Sequence, residues 1–290
     1  MRRSATALLL ACALGGLGAP AHAQDIRVTI DGAKRAAPVT RHAYGMFIEP
    51  IGGLVARTLW AELLDDRKFY HPVVPETRDV PPPPNAEGRP GVAYRKWRPV
   101  GGDDAVSMDL KDPFVGRQSP SVTVGAAPRG LAQAGLGVAG GRRYVGSLWL
   151  SGDATAGVEV ALVWGAGPGD RQAVKLPAAR AGWQRAEFAF MPGADAADAR
   201  LEIIGTGSGR FRVAAISLMP ADNIDGWRAD TTAIAKSLNS GFWRLPGGNF
   251  LSDWDWHGAL GARGGRAGRC SIMPGARCSP TTSAWTSGCG

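Results

Sequence analysis

Between residues 97 and 219, apolar side chains recur at every second position in short runs, each closed by Gly, Pro or Asp. This pattern constrains the fold more than anything else in the chain. Val158, Val160, Leu162 and Trp164 share one side of such a run, with Glu159 on the other. Ala186, Phe188 and Phe190 repeat it, as do Leu201 with Ile203, and Phe211 with Val213 and Ala215. A period of two is that of a half-buried strand, whose successive side chains point to opposite faces. Many such strands divided by turn residues predict an antiparallel sandwich of the jelly-roll type. Trp149, Trp164 and Trp183 lie within it, each readable as core filling or as a ring on which a sugar stacks.

The flanks follow a different pattern. Residues 26–30 alternate and suit a strand, and residues 44–48 suit another, ending at Glu49. Residues 59–64 (Leu-Trp-Ala-Glu-Leu-Leu) are helix-like in composition, and four prolines at 81–84 mark a boundary or exposed linker. After Pro220 the period changes. Asp222 or Asp225 can cap a helix in which Trp227, Thr231, Ile234 and Leu238 recur on one face. Asn239, Ser240 and Gly241 stop it. Residues 242–245 (Phe-Trp-Arg-Leu) then read as a buried strand, and residues 246–250 as the loop at its end. Helix, strand and polar loop in that order make a β/α unit, and in (β/α)₈ barrels chemistry sits at such strand ends. Asn249 is therefore a candidate site residue.

The ends of the chain carry most of its charge. With 33 Lys and Arg against 25 Asp and Glu, the net charge is +8, a balance that ordinarily raises nucleic acid as a partner. Arg2 and Arg3 of the first segment, with Arg263, Arg266, Arg269 and Arg277 of the last, supply six of those charges, leaving +2 for residues 24–256. All four cysteines (Cys12, Cys270, Cys278 and Cys289) lie in the same two segments. Residues 1–23 read as a cleavable secretory signal: two arginines, an apolar run from Ala5 to about Leu17, and Ala21-His22-Ala23 as the cleavage motif. The run is too short and too rich in Gly and Ala to favour a membrane span. The expectation is a secreted or periplasmic protein beginning near Gln24, with no membrane partner after cleavage. Residues 257–290 hold eight glycines and no acid, and their cysteine spacing fits no zinc site. The four tail arginines lack interleaved aromatics, so no nucleic-acid partner is expected either.

Three groups of residues together resemble family 51 of the glycoside hydrolases, the α-L-arabinofuranosidases. The first is Tyr44-Gly45-Met46-Phe47-Ile48-Glu49, followed by the 59–64 run and Arg67-Lys68-Phe69-Tyr70. The second is Asp225-Gly226-Trp227-Arg228 with its helix. The third is Arg244-Leu245-Pro246-Gly247-Gly248-Asn249-Phe250, then Asp255-Trp256. The resemblance implies α/β plus β architecture: the incomplete N-terminal part of a (β/α)₈ barrel carrying an inserted, carbohydrate-binding-like β-sandwich. The expected domains are residues 1–23 (signal), 24–84 (start of the barrel), 85–220 (sandwich), 221–256 (second β/α unit) and 257–290 (tail). It also implies retaining hydrolysis by two glutamates whose carboxyls stand about 5–5.5 Å apart. By matching motifs, Glu49 and Asn249 correspond to residues that hydrogen-bond arabinose hydroxyls, and Trp256 to an aromatic near the subsite. Pro50 departs from the family, which commonly has His there. The implied partner is an arabinose-containing polysaccharide or oligosaccharide; no cofactor or metal is implied, and nothing fixes an oligomeric state.

Neither catalytic glutamate is expected within this chain, because in the family both lie on later barrel strands. Among the acids near the motifs, Glu49 and Asp253 would be the acid/base pair to consider without the resemblance, and packing or sugar binding explains both. Glu62 reads as a helix-surface or salt-bridge residue. The abrupt end of the resemblance has a reading in the genetic code. Permitted codons for residues 279–289, read one base earlier, spell QPNDFGMDEWM, and those for residues 270–278 permit FDHAWRAV just before it, both family-like. A one-base frameshift between Trp256 and Arg269 is therefore expected. A barrel needs about 250 residues and eight strands, so the chain as written is expected to be inactive as an arabinofuranosidase. A secreted carbohydrate-binding module without catalysis is the alternative.

Overall fold

A computed structural model describes residues 27–49, 55–79 and 95–244. The chain divides into two units, Met1–Thr40 and Arg41–Gly290. In the first unit, residues 27–30 form no strand, and Val28 and Ile30 are exposed. The alternation seen there in sequence has no second strand to pair with, and a lone strand leaves its backbone groups to water.

The second unit opens with β1 (Met46–Phe47). The sandwich strands follow: β2 (Arg98–Val100), β3 (Val106–Asp109), β4 (Ser119–Thr123), β5 (Arg129–Val138), β6 (Tyr144–Gly152), β7 (Ala156–Val163), β8 (Arg171–Lys175), β9 (Gln184–Phe190), β10 (Ala196–Gly207) and β11 (Arg210–Pro220). The chain ends its described course with helix α1 (Ala229–Ser237) and β12 (Trp243–Arg244). Two five-stranded antiparallel sheets form, ordered β2-β5-β10-β7-β8 and β3-β4-β11-β6-β9. The chain passes back and forth between them, so the inner faces of both contribute to one core.

The expected alternation is what fills that core. Val160 and Leu162 of β7, Leu148 and Leu150 of β6, and Leu201 and Ile203 of β10 are fully buried. The Phe188 ring packs so closely on Gly146 of β6 that a Cβ there would not fit. One strand breaks the rule. Phe211 and Val213 of β11 point inward, but Ala215 adopts φ +42° and the register against β6 shifts between Ala214 and Ser217. This bulge sends Ile216 and Leu218 into the core and turns Ser217 and Met219 outward.

Of residues 59–64, only Leu59 is helical. A single π-helical turn occupies Val55–Leu59, and the chain then runs extended alongside β11 beyond the end of β4. The Leu63 N–H donates to Leu218 O at 3.0 Å, and the Ile216 N–H to Arg67 O at 3.0 Å. Pairing with a sheet has overridden a local helix preference worth only tenths of a kcal/mol per residue. Leu64, Phe69 and Val73 join the sandwich core, with the Phe69 ring 5.3 Å from that of Trp97. These three residues precede the 84/85 boundary expected from sequence.

The described residues form a sandwich with few helices, and no barrel is evident among them. β1 and β12 pair in parallel over two residues, Met46 opposite Trp243 and Phe47 opposite Arg244. Neither strand is buried; Phe242 is 49% and Trp243 36% exposed, against the expectation of a buried strand. Helix α1 is capped by neither Asp222 nor Asp225. Arg228 holds the cap position, Asp230 accepts from the Thr231 N–H, Asp222 pairs with Arg142, and Asp225 sits at φ +51° in the preceding turn. Asn239, at φ +48°, follows the helix end as expected. The helix buries none of its residues: Ile234 is 62% and Leu238 51% exposed.

Candidate functional site

The outward side chains of the second sheet make the most chemically varied surface of the described residues. Alternation fixes which these are: Val145, Ser147, Trp149 and Ser151 on β6, Arg185, Glu187 and Ala189 on β9, and Arg212, Ala214, Ser217 and Met219 on β11. Cross-strand register sets Trp149 beside Arg185 and Ala214, Ser147 beside Glu187 and Ser217, and Val145 beside Ala189 and Met219. Across one half of this face runs an open groove of about 570 Å³, whose lining includes Arg143, Val145, Ser147, Arg185, Glu187, Ser217, Met219 and Asn223. Its floor is apolar at Val145, Ala189 and Met219.

The other half is aromatic. Phe114, from the loop between β3 and β4, stacks on Trp149 with ring centroids 4.4 Å apart and planes at 24°. Trp183 meets Phe114 edge-on at 5.5 Å. The Arg212 guanidinium lies 5.0 Å from the Trp183 ring centroid, a cation–π contact. The same guanidinium reaches Asp109 at 3.0 Å, Asp112 at 2.9 Å and Ser151 Oγ at 2.7 Å. It thus ties β11 to β3, β6 and the Phe114 loop at once. Asp109 is held below the usual carboxylate range, first by the Lys111 backbone N–H and then by Arg212. Trp183 Nε1–H is buried and meets no acceptor among the described residues.

Beneath the groove lies a buried acid. Ser217 Oγ donates to Glu62 Oε2 at 2.7 Å, the Leu218 N–H donates to Oε1 at 2.8 Å, and Arg67 Nε stands 3.1 Å away. Burial pushes the Glu62 carboxyl up, against the opposing pull of Arg67. Glu62 is the salt-bridge residue expected, but buried beside β11 and not on a helix surface. Nearby, Asp66 accepts the Tyr70 and His71 N–H groups at 2.7 and 3.0 Å, and burial raises it to about 7.

Of the three residues expected from sequence to contact substrate, Glu49 alone is described; it is half-buried beyond β1, beside Ile48, whose N–H donates to Arg244 O at 3.1 Å. Asn249 and Trp256 lie outside the described residues, as do Asp253, Asp255 and the whole tail. Of the three tryptophans weighed as stacking platforms, Trp149 and Trp183 converge on this face, half-buried. Trp164 follows β7, packs against the core edge, and is not part of it. Phe114, Arg185, Glu187, Arg212 and Ser217 escaped the sequence reading. Residues on the polar phase of each strand were legible as outward-facing, but their convergence depends on strand order. Among the described residues no group of three His, Cys, Asp or Glu could hold a metal ion, and no helix is long and apolar enough to cross a membrane.

No family model matches the chain. An extracellular exo-α-L-arabinofuranosidase of Streptomyces chartreusis is 27% identical over 253 residues, covering 84% of this chain and 29% of the relative. The chain thus spans less than a third of that relative's length. Among solved structures, the CBM22-1 xylan-binding domain of Paenibacillus barcinonensis Xyn10C aligns with 58% of this chain and 99% of its own at 15% identity and TM-score 0.38. A family 16 carbohydrate-binding module aligns with 40% of this chain and 85% of its own at 16% identity and TM-score 0.32.

Proposed function

We propose that the sandwich is a polysaccharide-binding module and that its site is the outer face of the β3-β4-β11-β6-β9 sheet. The observation that carries this is the continuity of an open groove with an aromatic cluster on one rigid sheet. Sugar rings present an apolar face and a polar rim, and a site for them needs both kinds of surface side by side. The groove supplies the polar rim through Ser147, Arg185 and Glu187 and an apolar floor beneath. The Trp149–Trp183 end supplies ring edges. The substrate is an arabinose-containing plant polymer, arabinan or arabinoxylan, a choice that rests on the family 51 resemblance and the distant arabinofuranosidase relative. Export through the residue 1–23 signal agrees with that relative being extracellular.

In this reading the sandwich binds polysaccharide. Contact of Glu49, Asn249 and Trp256 with arabinose hydroxyls rests on the family 51 resemblance alone. Native affinity electrophoresis tests the binding claim: the chain should be retarded by arabinoxylan and by arabinan. Unchanged mobility of a folded chain in both would refute it.

A further inference from the structure

We propose that the groove selects polysaccharides bearing carboxylates, uronic acid residues above all, and that Arg143 is the residue that reads them. This deepens, and rests on, the assignment of the face to polysaccharide. The groove's polar side chains are largely occupied within the protein. Ser217 gives its proton to Glu62. Asn223 donates to Pro220 O at 2.7 Å and accepts the Gly226 N–H at 2.8 Å, so both ends of its amide serve the turn after β11. Arg185 spends its guanidinium on Glu187 and on Ser147 Oγ. Just outside, Arg142 is held by Asp222 at 2.9 Å.

Arg143 stands apart from all of these. It lines the groove, its side chain is exposed, and among the described residues no acid or acceptor engages it. Its main chain is fixed, since its carbonyl accepts the Ala221 N–H at 2.9 Å and Tyr144 beside it begins β6. The result is an anchored arm with an unengaged planar cation at its tip. With Arg185 and Glu187 cancelling, the lining carries a net charge of +1. A guanidinium offers parallel N–H donors matched to a carboxylate, and this pairing is stronger than a bond to a neutral hydroxyl. A chain seated on the Val145 and Met219 floor would bring a carboxylate at its edge to Arg143. The pair would be exposed to solvent, so its contribution is modest and falls with added salt.

The test uses the whole chain and a matched pair of polymers: a glucuronic-acid-bearing xylan, and the same xylan after chemical reduction of its carboxyls to hydroxymethyl groups. Native affinity electrophoresis should show several-fold stronger retardation by the acidic polymer, with the difference shrinking as salt is raised. Arg143→Gln should erase the difference while leaving retardation by the reduced polymer and the melting temperature unchanged. Equal retardation by both polymers would overturn the role of the carboxylate and leave polysaccharide binding standing. A difference that survives R143Q would overturn the role of Arg143. Retardation by neither polymer, in a chain that arabinoxylan still retards, would overturn the inference and leave polysaccharide binding standing.

Discussion

Trp149 belongs at once to the packing of the sheet and to its outer surface. One face of its ring is covered by Phe114, and its cross-strand neighbour Arg185 lines the groove. Trp149→Ala should therefore do two things. Loss of the stacked pair should lower stability by about 1–2 kcal/mol, read from denaturant unfolding. Retardation by arabinoxylan should weaken about fivefold, the equivalent of about 1 kcal/mol of aromatic contact. A variant that loses stability but binds unchanged would place the ring in packing alone.

Asp66 gives a pH signature at the same scale. Its carboxyl is raised by burial from 3.8 to about 7, so the folded state holds its proton more tightly than the unfolded chain. The stabilisation is fully present below about pH 4 and is lost as pH rises towards 7. A shift of this size corresponds to about 4 kcal/mol at most. Melting temperature should fall across that window, and Asp66→Asn should flatten the fall; an identical slope in the variant would contradict the assignment. Nothing in the sequence near Asp66 foretold this, because burial here depends on a strap reaching a strand some 150 residues away.

At the scale of elements, the strands of the sandwich were legible because a period of two survives in any half-buried strand. Phe188, Phe190, Leu201 and Ile203 face the core as their spacing requires. The bulge at Ala215 was not legible, since Ala carries no mark of a positive φ, and yet it decides which of residues 215–219 face the groove. Deleting Ala215 should return Ile216 and Leu218 to the outer face and abolish cooperative unfolding, as judged by calorimetry; a deletion variant that melts normally would contradict this register. The extended course of residues 59–64 was hidden for the opposite reason. Composition favoured a helix, but the open edge of β11 and the buried Glu62 carboxylate recruited the segment's N–H groups. Arg212 shows what ties one element to the next. Arg212→Ala should free the Phe114 loop and cost about 2–3 kcal/mol, because Asp109 and Ser151 lose their shared partner. Hydrogen exchange over residues 110–118 should rise in that variant, and unchanged exchange would show the loop is held otherwise.

For the whole molecule, the net charge proved a poor guide and its distribution a good one. Six of eight charges lie in the first 23 and last 34 residues, and the nearly neutral remainder still holds a groove with one unengaged cation at Arg143. The sandwich could be read from sequence because its residues bury one another. The parallel pair β1–β12 and helix α1 bury little, so packing gave their sequence no comparable signal. The account therefore stands on one claim: this face of the sandwich grips polysaccharide. The direct measurement is native affinity electrophoresis of the purified chain through arabinoxylan, beside the Trp149→Ala variant and a non-binding reference protein. The account predicts retardation of the wild-type chain, clearly reduced for the variant. Equal mobility of wild type and reference, in a chain shown to be folded, would contradict it.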